Sequence, residues 1–308
     1  MMDVELKNRV LVVTVNYKSA LTTLEFLDSL SRANGFSEVA VVVADNSSGE
    51  EDLSTIRQAI RELANVKLLE SAENRGYFGA AKFTLDHYLA QGRGLPDWVI
   101  VCNHDVLIED PDFFPKLFEH DPSAVGVIAP RIRALPAGVE QNPFMSRRPG
   151  WLRWGSLRCI YSNYSTASIW DWLSRQKKSL KSLIAARAPK SSSNGVPRRQ
   201  SIYAPYGAFL IFGRKYFEAG GYLDGNLFLY GEEIAVAEIC RSLHLPVVYQ
   251  PSLCVLHNEH RSTGHGISRF TYECQRDALR YVTSRYLSGS GGPVESGTEP
   301  QALMFLKK

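Results

Sequence analysis

VAVVVADN, residues Val39–Asn46, is an apolar run without period-two alternation that closes on Asp45 and Asn46. A strand with one wet face alternates apolar and polar side chains, so an unbroken run marks a strand covered on both faces, as in a parallel sheet. Upstream, VLVVTVNY (10–17) has the same character and closes on Asn16-Tyr17. The stretch between them, 20–34, carries Leu21, Leu24, Leu27 and Leu30 at helical spacing, and downstream 51–64 does so with Leu53, Ile56, Ile60 and Leu63. A third strand follows at 66–70, a helix at 77–91, and a fourth strand at 98–102 within WVIVCNHDV. Residues 124–129 and 247–250 add two more. Recurring β-α units predict an α/β protein, a doubly wound half with a mostly parallel sheet flanked by helices.

Each early strand ends in polar residues: Asn16-Tyr17, Asp45-Asn46-Ser47-Ser48 and Asn103-His104-Asp105. Any one of these reads as a turn. In a parallel sheet, however, the three ends share one rim, where ligands of open α/β sheets bind. Glu73-Asn-Arg-Gly-Tyr-Phe-Gly79 then leads into a helix. Gly76 and Gly79 allow close backbone approach, while Arg75 and the helix N-terminus favour an anion such as phosphate; the plain alternative is a helix-start loop. The spacing is neither GxGxxG nor a Walker loop. In FLYGEEI (228–234), two adjacent carboxylates sit near a helix start, either as favourable N-terminal charge or as a general base. The 257–265 segment lacks the cysteines and spacing of a structural zinc site.

The chain has 308 residues, 44% of them hydrophobic and 22% charged, which describes a globular protein. One large domain over 1–290 is expected, with an insertion at about 131–200 and a flexible Gly/Ser-rich tail at 291–308. The net charge of +3 conceals an asymmetry. Residues 131–200 hold 14 Lys/Arg against Glu140 and Asp171, a net +12, leaving −9 elsewhere. Five scattered cysteines without a CxxC pair suit a reducing cytosol. The start, MMDVELKNRV, does not read as a signal peptide, and no run reaches the ~18 apolar residues of a membrane span.

Read in order, VVTVNY (12–17), VVVADNSS (41–48), ENRGYFG (73–79), CNHD (102–105), YGAFLIFGRKYFEAGGYLD (206–224), FLYGEEI (228–234) and VLHNEHRSTG (255–264) resemble the family 2 nucleotide-sugar glycosyltransferases. The likeness spans about 10–265 apart from the insert. Its Glu-Glu and His-x2-His-x-Ser-Thr-Gly variants resemble a rhamnosyltransferase-like branch of bacterial surface-polysaccharide synthesis. The resemblance implies the GT-A fold, with a Rossmann-like, mostly parallel central sheet and a basic, partly helical insertion. It also implies inverting transfer from a dTDP- or UDP-linked sugar to a glycan or polyprenyl-linked acceptor, with Mg²⁺ or Mn²⁺ as cofactor and no nucleic acid partner.

Residue by residue, Asp105 matches the aspartate that helps a cation hold the donor diphosphate, and His257 a histidine close to both. Asp45 matches the residue that reads the nucleotide base, with Thr14, Asn16 and Tyr17 lining that pocket. Asn74, Arg75 and Gly76 match the loop beside the nucleotide. Glu233, paired with Glu232, falls at the catalytic base, and Tyr206, Gly207 and Arg261 fall on the acceptor or diphosphate side. Departures stand at Ala81, Lys82, Ala235 and His104. Lys82 is expected to offset diphosphate charge, and His104 has no assigned role. A non-catalytic sugar-nucleotide-binding subunit is the alternative; a nucleotidyltransferase ranks lower because NYKSALTT (16–23) lacks the expected glycines.

The resemblance leaves the insert unexplained. On a helix, Ile169, Trp172, Leu173, Leu180, Leu183 and Ile184 fall within about a 120° arc. Arg175, Lys178 and Lys181 lie opposite, with Gln176 and Arg187 interrupting the arc. Such a helix either packs on its own domain or lies on an anionic membrane. The second choice places a cytoplasmic protein at the inner face of the cytoplasmic membrane.

Overall fold

The apolar runs become strands in the expected order. β1 (Val10–Asn16), α1 (Ala20–Ser31), β2 (Val39–Asn46), α2 (Glu50–Ala59), β3 (Val66–Ser71), α3 (Gly76–Ala90) and β4 (Trp98–Asn103) form the first half. Every residue of β1 and β2 is buried, as strands covered on both faces must be. These strands pair in parallel in the order β3-β2-β1-β4. The computed structural model describes residues 9–187, 197–258 and 267–287, and within the long insert helix it describes side chains through Ser174 and at Gln176.

The chain continues through β5 (Val106–Leu107), α4 (Phe113–Phe118), β6 (Val127–Ala134) and β7 (Val139–Glu140). The insert holds α5 (Trp151–Ile160) and α6 (Tyr164–Arg187). Then come β8 (Gln200–Ile202), β9 (Phe209–Gly213), α7 (Arg214–Glu218), α8 (Glu232–Ser242), β10 (Val247–His257) and α9 (Arg269–Val282). The main path of the sheet reads β3-β2-β1-β4-β9-β6-β10-β5, with β7 on β6 and β8 on β10.

Two features differ from the sequence reading. β9 runs antiparallel to both β4 and β6, so the sheet is mixed beyond its fourth strand. β10 does not stop at Gln250. A bulge between Gln250 and Cys254 carries it past Pro251, which has no N–H to give the ladder, and delivers His257 to the far end.

The chain divides into two compact units, Met1–Arg148 with Arg199–His260, and Pro149–Arg198 with Arg261–Lys308. The first is built on the sheet, whose core packs Val12, Val41, Ile100 and Ile211 with Phe26, Phe113 and Phe209. The second is helical and has a small core of Ala167, Ile267 and Tyr272, bordered by Tyr161 and Tyr164. Its ties are specific: the Tyr164 hydroxyl donates to the Ile267 carbonyl at 2.8 Å, and the Tyr164 and Tyr272 rings meet edge-on at 5.5 Å. No helix among the described residues is long and apolar enough to cross a membrane. The 291–308 tail, Arg261, and the side chains of Arg175, Lys178, Leu180, Lys181, Leu183, Ile184 and Arg187 lie outside the described residues.

Candidate functional site

The register of the parallel strands sets the rim. Asn16 of β1 stands level with Asp45 of β2, and Val15 with Asn103 of β4, so the polar strand ends share one edge. There they satisfy one another. Asn16 Nδ2 donates to Asp45 Oδ1 at 2.8 Å and to Ser48 Oγ at 3.2 Å, and Thr23 Oγ1 donates to Asn16 Oδ1 at 2.8 Å. Asp45 Oδ2 accepts the Ser48 N–H at 2.8 Å. Asp45 and Asn16 are buried, Thr14 lies beneath them, and Tyr17 is exposed at the lip. An ionised carboxylate offers about four acceptor sites, so Asp45 keeps capacity for a ligand while these bonds fix its direction.

Asn46, which the sequence reading placed only in the rim, carries the structure onward. Its Nδ2 donates to the Gly76 carbonyl at 2.9 Å, and its Oδ1 accepts the Arg75 N–H at 3.1 Å. Asn74 Oδ1 accepts the Gly76 N–H at 2.9 Å. Gly76 is required here: its φ is +70°, and a Cβ would lie 2.2 Å from the Phe228 carbonyl oxygen. The next N–H, of Tyr77, donates to that same carbonyl at 2.7 Å. The segments 73–79 and 228–234, far apart in sequence, thus meet backbone to backbone. Arg75 pairs with Glu73 at 2.7 Å and stacks 4.5 Å from the Phe83 ring, while Lys82 pairs with Asp86. Both cations therefore already hold surface acids.

The two glutamates open α8 behind Gly231, whose φ is +86°. Gly207 is pressed against both. A Cβ there would stand 2.7 Å from Glu232 Oε1 and 2.9 Å from Glu233 Oε1, which explains the glycine. Burial raises both carboxyls above their ordinary range, and in Glu232 the neighbouring Glu233 charge pushes the same way. Glu233 is the better supported anion, because the nearby backbone N–H groups of Glu233 itself, Gly207 and Gly231 favour its charged form. Tyr77 backs the pair. Its hydroxyl donates to the Gly207 carbonyl at 2.9 Å, and burial drives its own pKa well up, which keeps it a neutral donor.

His257, at the end of β10, lies with its ring 6.0 Å from that of Tyr206 and its Nε2 3.2 Å from Asp105 Oδ1. Its Nδ1 meets Gln141 Oε1 at 2.9 Å. An amide oxygen only accepts, so Nδ1 carries the proton and Nε2 is turned to Asp105. Asn142, beside Gln141, fixes Tyr206 by accepting its N–H at 2.8 Å. Gln141 and Asn142 left no mark in the sequence reading, because they lie in a short segment after β7 that looks like loop. Burial raises the Asp105 carboxyl, but the facing His257 and the nearby His104 outweigh it and hold it below the usual range. His104, without a role in the sequence reading, lies with Nδ1 2.9 Å from the Val15 carbonyl oxygen and so links the ends of β1 and β4.

A mixed sheet flanked by helices, with a strand-end carboxylate, a facing histidine and a carboxylate pair beside its polar rim, has the GT-A fold of glycosyltransferases. The family model for glycosyl transferase family 2 matches residues 10–171, more than half of the chain, and the chain belongs to that family. It is a glycosyltransferase of the rhamnosyltransferase-like kind. It is 27% identical over 267 residues to the N-acetylglucosaminyl-diphospho-decaprenol L-rhamnosyltransferase of Mycobacterium tuberculosis, covering 82% of this chain and 77% of that one; the two strains CDC 1551 / Oshkosh and H37Rv give the same match. Among solved structures, a mannosyltransferase from Pyrobaculum calidifontis in complex with GDP-Man and Mn²⁺ matches with a TM-score of 0.51 at 16% identity, covering 96% of this chain and 66% of that one. GalNAc-T7 with UDP, GalNAc and Mn²⁺ matches with a TM-score of 0.59 at 16% identity, over 91% and 48% of the respective chains. This chain therefore spans less than two thirds of either solved neighbour, and these two likenesses bear on the fold.

The donor set suits a divalent cation. Asp105 Oδ1 is buried and faces His257 Nε2, while the other nitrogen of that ring is held by Gln141. A carboxylate oxygen and an imidazole nitrogen 3.2 Å apart are a common ligand pair for such ions. Among the described residues no group of three or more His, Cys, Asp or Glu assembles, so phosphate oxygens and water would complete the shell.

Proposed function

We propose that this chain transfers a sugar, rhamnose, from a dTDP- or UDP-linked donor to a hydroxyl of a glycan or polyprenyl-linked acceptor, with inversion at the anomeric carbon. The observation that carries the reading is the Glu232–Glu233 pair, the first buried and the second half-buried, held against Gly207 at the start of α8. The likeness to a decaprenol-linked rhamnosyltransferase supports the choice of sugar and acceptor class. The same reading places the protein in the cytoplasm at the inner face of the membrane that carries such an acceptor.

The rim of Asn16, Asp45, Ser48 and Thr23 takes the nucleoside, and the Asn74–Gly76 turn supports its ribose and phosphates. Glu233 accepts the acceptor hydroxyl's proton as that oxygen bonds to the anomeric carbon from the face opposite the diphosphate. The bond from that carbon to the diphosphate oxygen breaks, and its electrons leave with the phosphate. Glu232, more buried and repelled by its neighbour, stays protonated and positions the acceptor. Asp105 and His257 would hold Mg²⁺ or Mn²⁺, which when bound neutralises charge on the departing diphosphate. Gln141 fixes the imidazole, a supporting role that such sites depend on.

The test is a panel of nucleoside-diphosphate sugars scored by released nucleoside diphosphate in the presence of lipid extract. Turnover by the wild type that is lost in Glu233→Gln supports transfer. Donor binding without turnover under every condition would make the chain a binding subunit and sink the reading.

A further inference from the structure

In α6, the residues turned toward the helical unit's own core are Tyr164, Ala167, Ser168 and Asp171. Of the apolar arc read in the sequence, the described members Ile169, Trp172 and Leu173 point the other way. Ile169 and Trp172 are each 59% exposed and Leu173 48%, and in α5 Trp151 is 80% and Leu152 65% exposed. A helix that packs small and polar residues inward and turns tryptophans outward has its apolar face ready for something else. Packing on its own unit, one of the two readings of the insert, does not cover Ile169, Trp172 and Leu173.

The same unit contains a groove of about 530 Å³ between α5 and α9, lined by Arg158, Arg276 and Arg280 with Tyr161, Ser162 and Cys159. Arg276 is fixed by Asp277 at 2.8 Å and by the Tyr272 ring at 5.5 Å. No ion pair engages Arg158 or Arg280 among the described residues. Three guanidinium groups around one groove suit a phosphate, which they can bind with paired N–H donors. The two features complement one ligand surface, a bilayer whose headgroups carry phosphate and whose acyl boundary accepts Trp and Leu. The 149–198 segment of this unit, with nine basic residues against Asp171 alone, has the sign of charge that such a surface attracts.

We propose that the helical unit is a membrane-docking element: the outward face of α5 and α6 enters the interface of an anionic bilayer, and the Arg158–Arg276–Arg280 groove takes a lipid headgroup phosphate. None of its residues belongs to the transferase site, and the proposal stands or falls independently of the reaction above.

The experiment is co-sedimentation of the full chain with vesicles of phosphatidylcholine alone or with added phosphatidylglycerol, at low and high salt. Binding is expected to the anionic vesicles only, and to weaken with salt. Arg158→Gln/Arg280→Gln should weaken it roughly 30-fold, at the contribution typical of two arginines near such a surface. Trp151→Ser/Trp172→Ser should weaken it at both salt levels, because insertion is not screened. Arg158→Lys/Arg280→Lys, which keeps the charge, should retain most binding, and a matching melting curve for each variant guards against misfolding. Equal binding to neutral vesicles, or indifference to both the Gln and Ser pairs, would overturn the proposal. So would binding of inorganic phosphate by a chain that ignores anionic vesicles, since the groove would then serve a soluble phosphate.

Discussion

At the strand rim, Asn16, Asp45, Ser48 and Thr23 direct their polar atoms at one another, and Asn46 ties them to the Gly76 turn. On the helical unit, Trp151, Trp172 and Leu173 point outward, and Arg158 and Arg280 face a groove. The difference follows from what each surface must meet. A site for a small polar ligand gains from donors and acceptors fixed in advance, because they need no reorganisation when the ligand arrives. A surface meeting a fluid interface gains from area and charge, and fixed hydrogen bonds add little there.

The sharpest way to break this contrast is at the carboxylate pair. Glu233→Gln should lower kcat by ~10²–10⁴ while nucleotide affinity changes by no more than a few-fold. The pH profile refines it. Burial raises both carboxyls, so the base is protonated, and activity lost, at a higher pH than for an exposed glutamate; rate rises with pH through that raised range. The pair titrates together, so the acid limb belongs to both. An acid limb at the ordinary glutamate position, or full activity in Glu233→Gln, would remove the assignment.

Next in size come the groups around the expected cation. Asp105→Ala should abolish most of the response to Mn²⁺ in a donor titration. Gln141→Leu, which leaves Asp105 and His257 in place, should still raise the Mn²⁺ concentration required by about 10–100-fold, as loss of a ligand's hydrogen-bond partner commonly does. An unchanged Mn²⁺ response in Asp105→Ala would take the metal elsewhere.

A smaller effect tests how rigid the rim is. Gly76→Ala puts a methyl group into the Phe228 carbonyl at a positive φ, and should cost at least ~1–3 kcal/mol, seen as a lower melting temperature. Gly49→Ala has nothing within 4 Å and an ordinary φ, so it should melt with the wild type. Equal melting of the two variants would mean that the 73–79 and 228–234 segments are not pressed together.

The smallest effect is on stability alone. Glu232 has a raised folded-state pKa, so its neutral form is the one the fold favours, and stability is lost as pH rises through that value. Glu232→Gln stays neutral. Its melting temperature should match the wild type in acid and exceed it above neutrality, by on the order of 2 °C. A deficit at high pH would mean that the Glu232 carboxylate makes a bond the amide cannot.

Much of this architecture is legible in the chain because burial on two faces leaves continuous Val-rich runs, as at 10–17 and 39–46. Direction leaves no such mark. FLIFG at 209–213 would read the same parallel or antiparallel, and only the pairing reveals β9 as reversed. Pro251 hid the second half of β10, since a proline normally ends a strand unless a bulge absorbs it. Within the site, Asp105, Glu233 and His257 stand out by residue type and motif. Gln141 matters through a bond spanning 116 residues, and no local pattern records that. Periodicity exposed the apolar arc of the insert, but a stripe carries no sign for inside and outside. The burial of Ala167 and the half-burial of Tyr164, against the exposure of Ile169, Trp172 and Leu173, fix which way its described part faces.

The groove has one further property of practical use. Of the five cysteines, all within the described residues, Cys102, Cys240 and Cys274 are buried, Cys254 is half-buried, and Cys159 is exposed at the groove's edge. A thiol-reactive dye or spin label added to the unmodified chain should therefore couple first at Cys159. Nature has placed a single reporter handle beside three arginines, so occupancy of that groove can be followed by fluorescence or spin-label mobility without introducing a mutation.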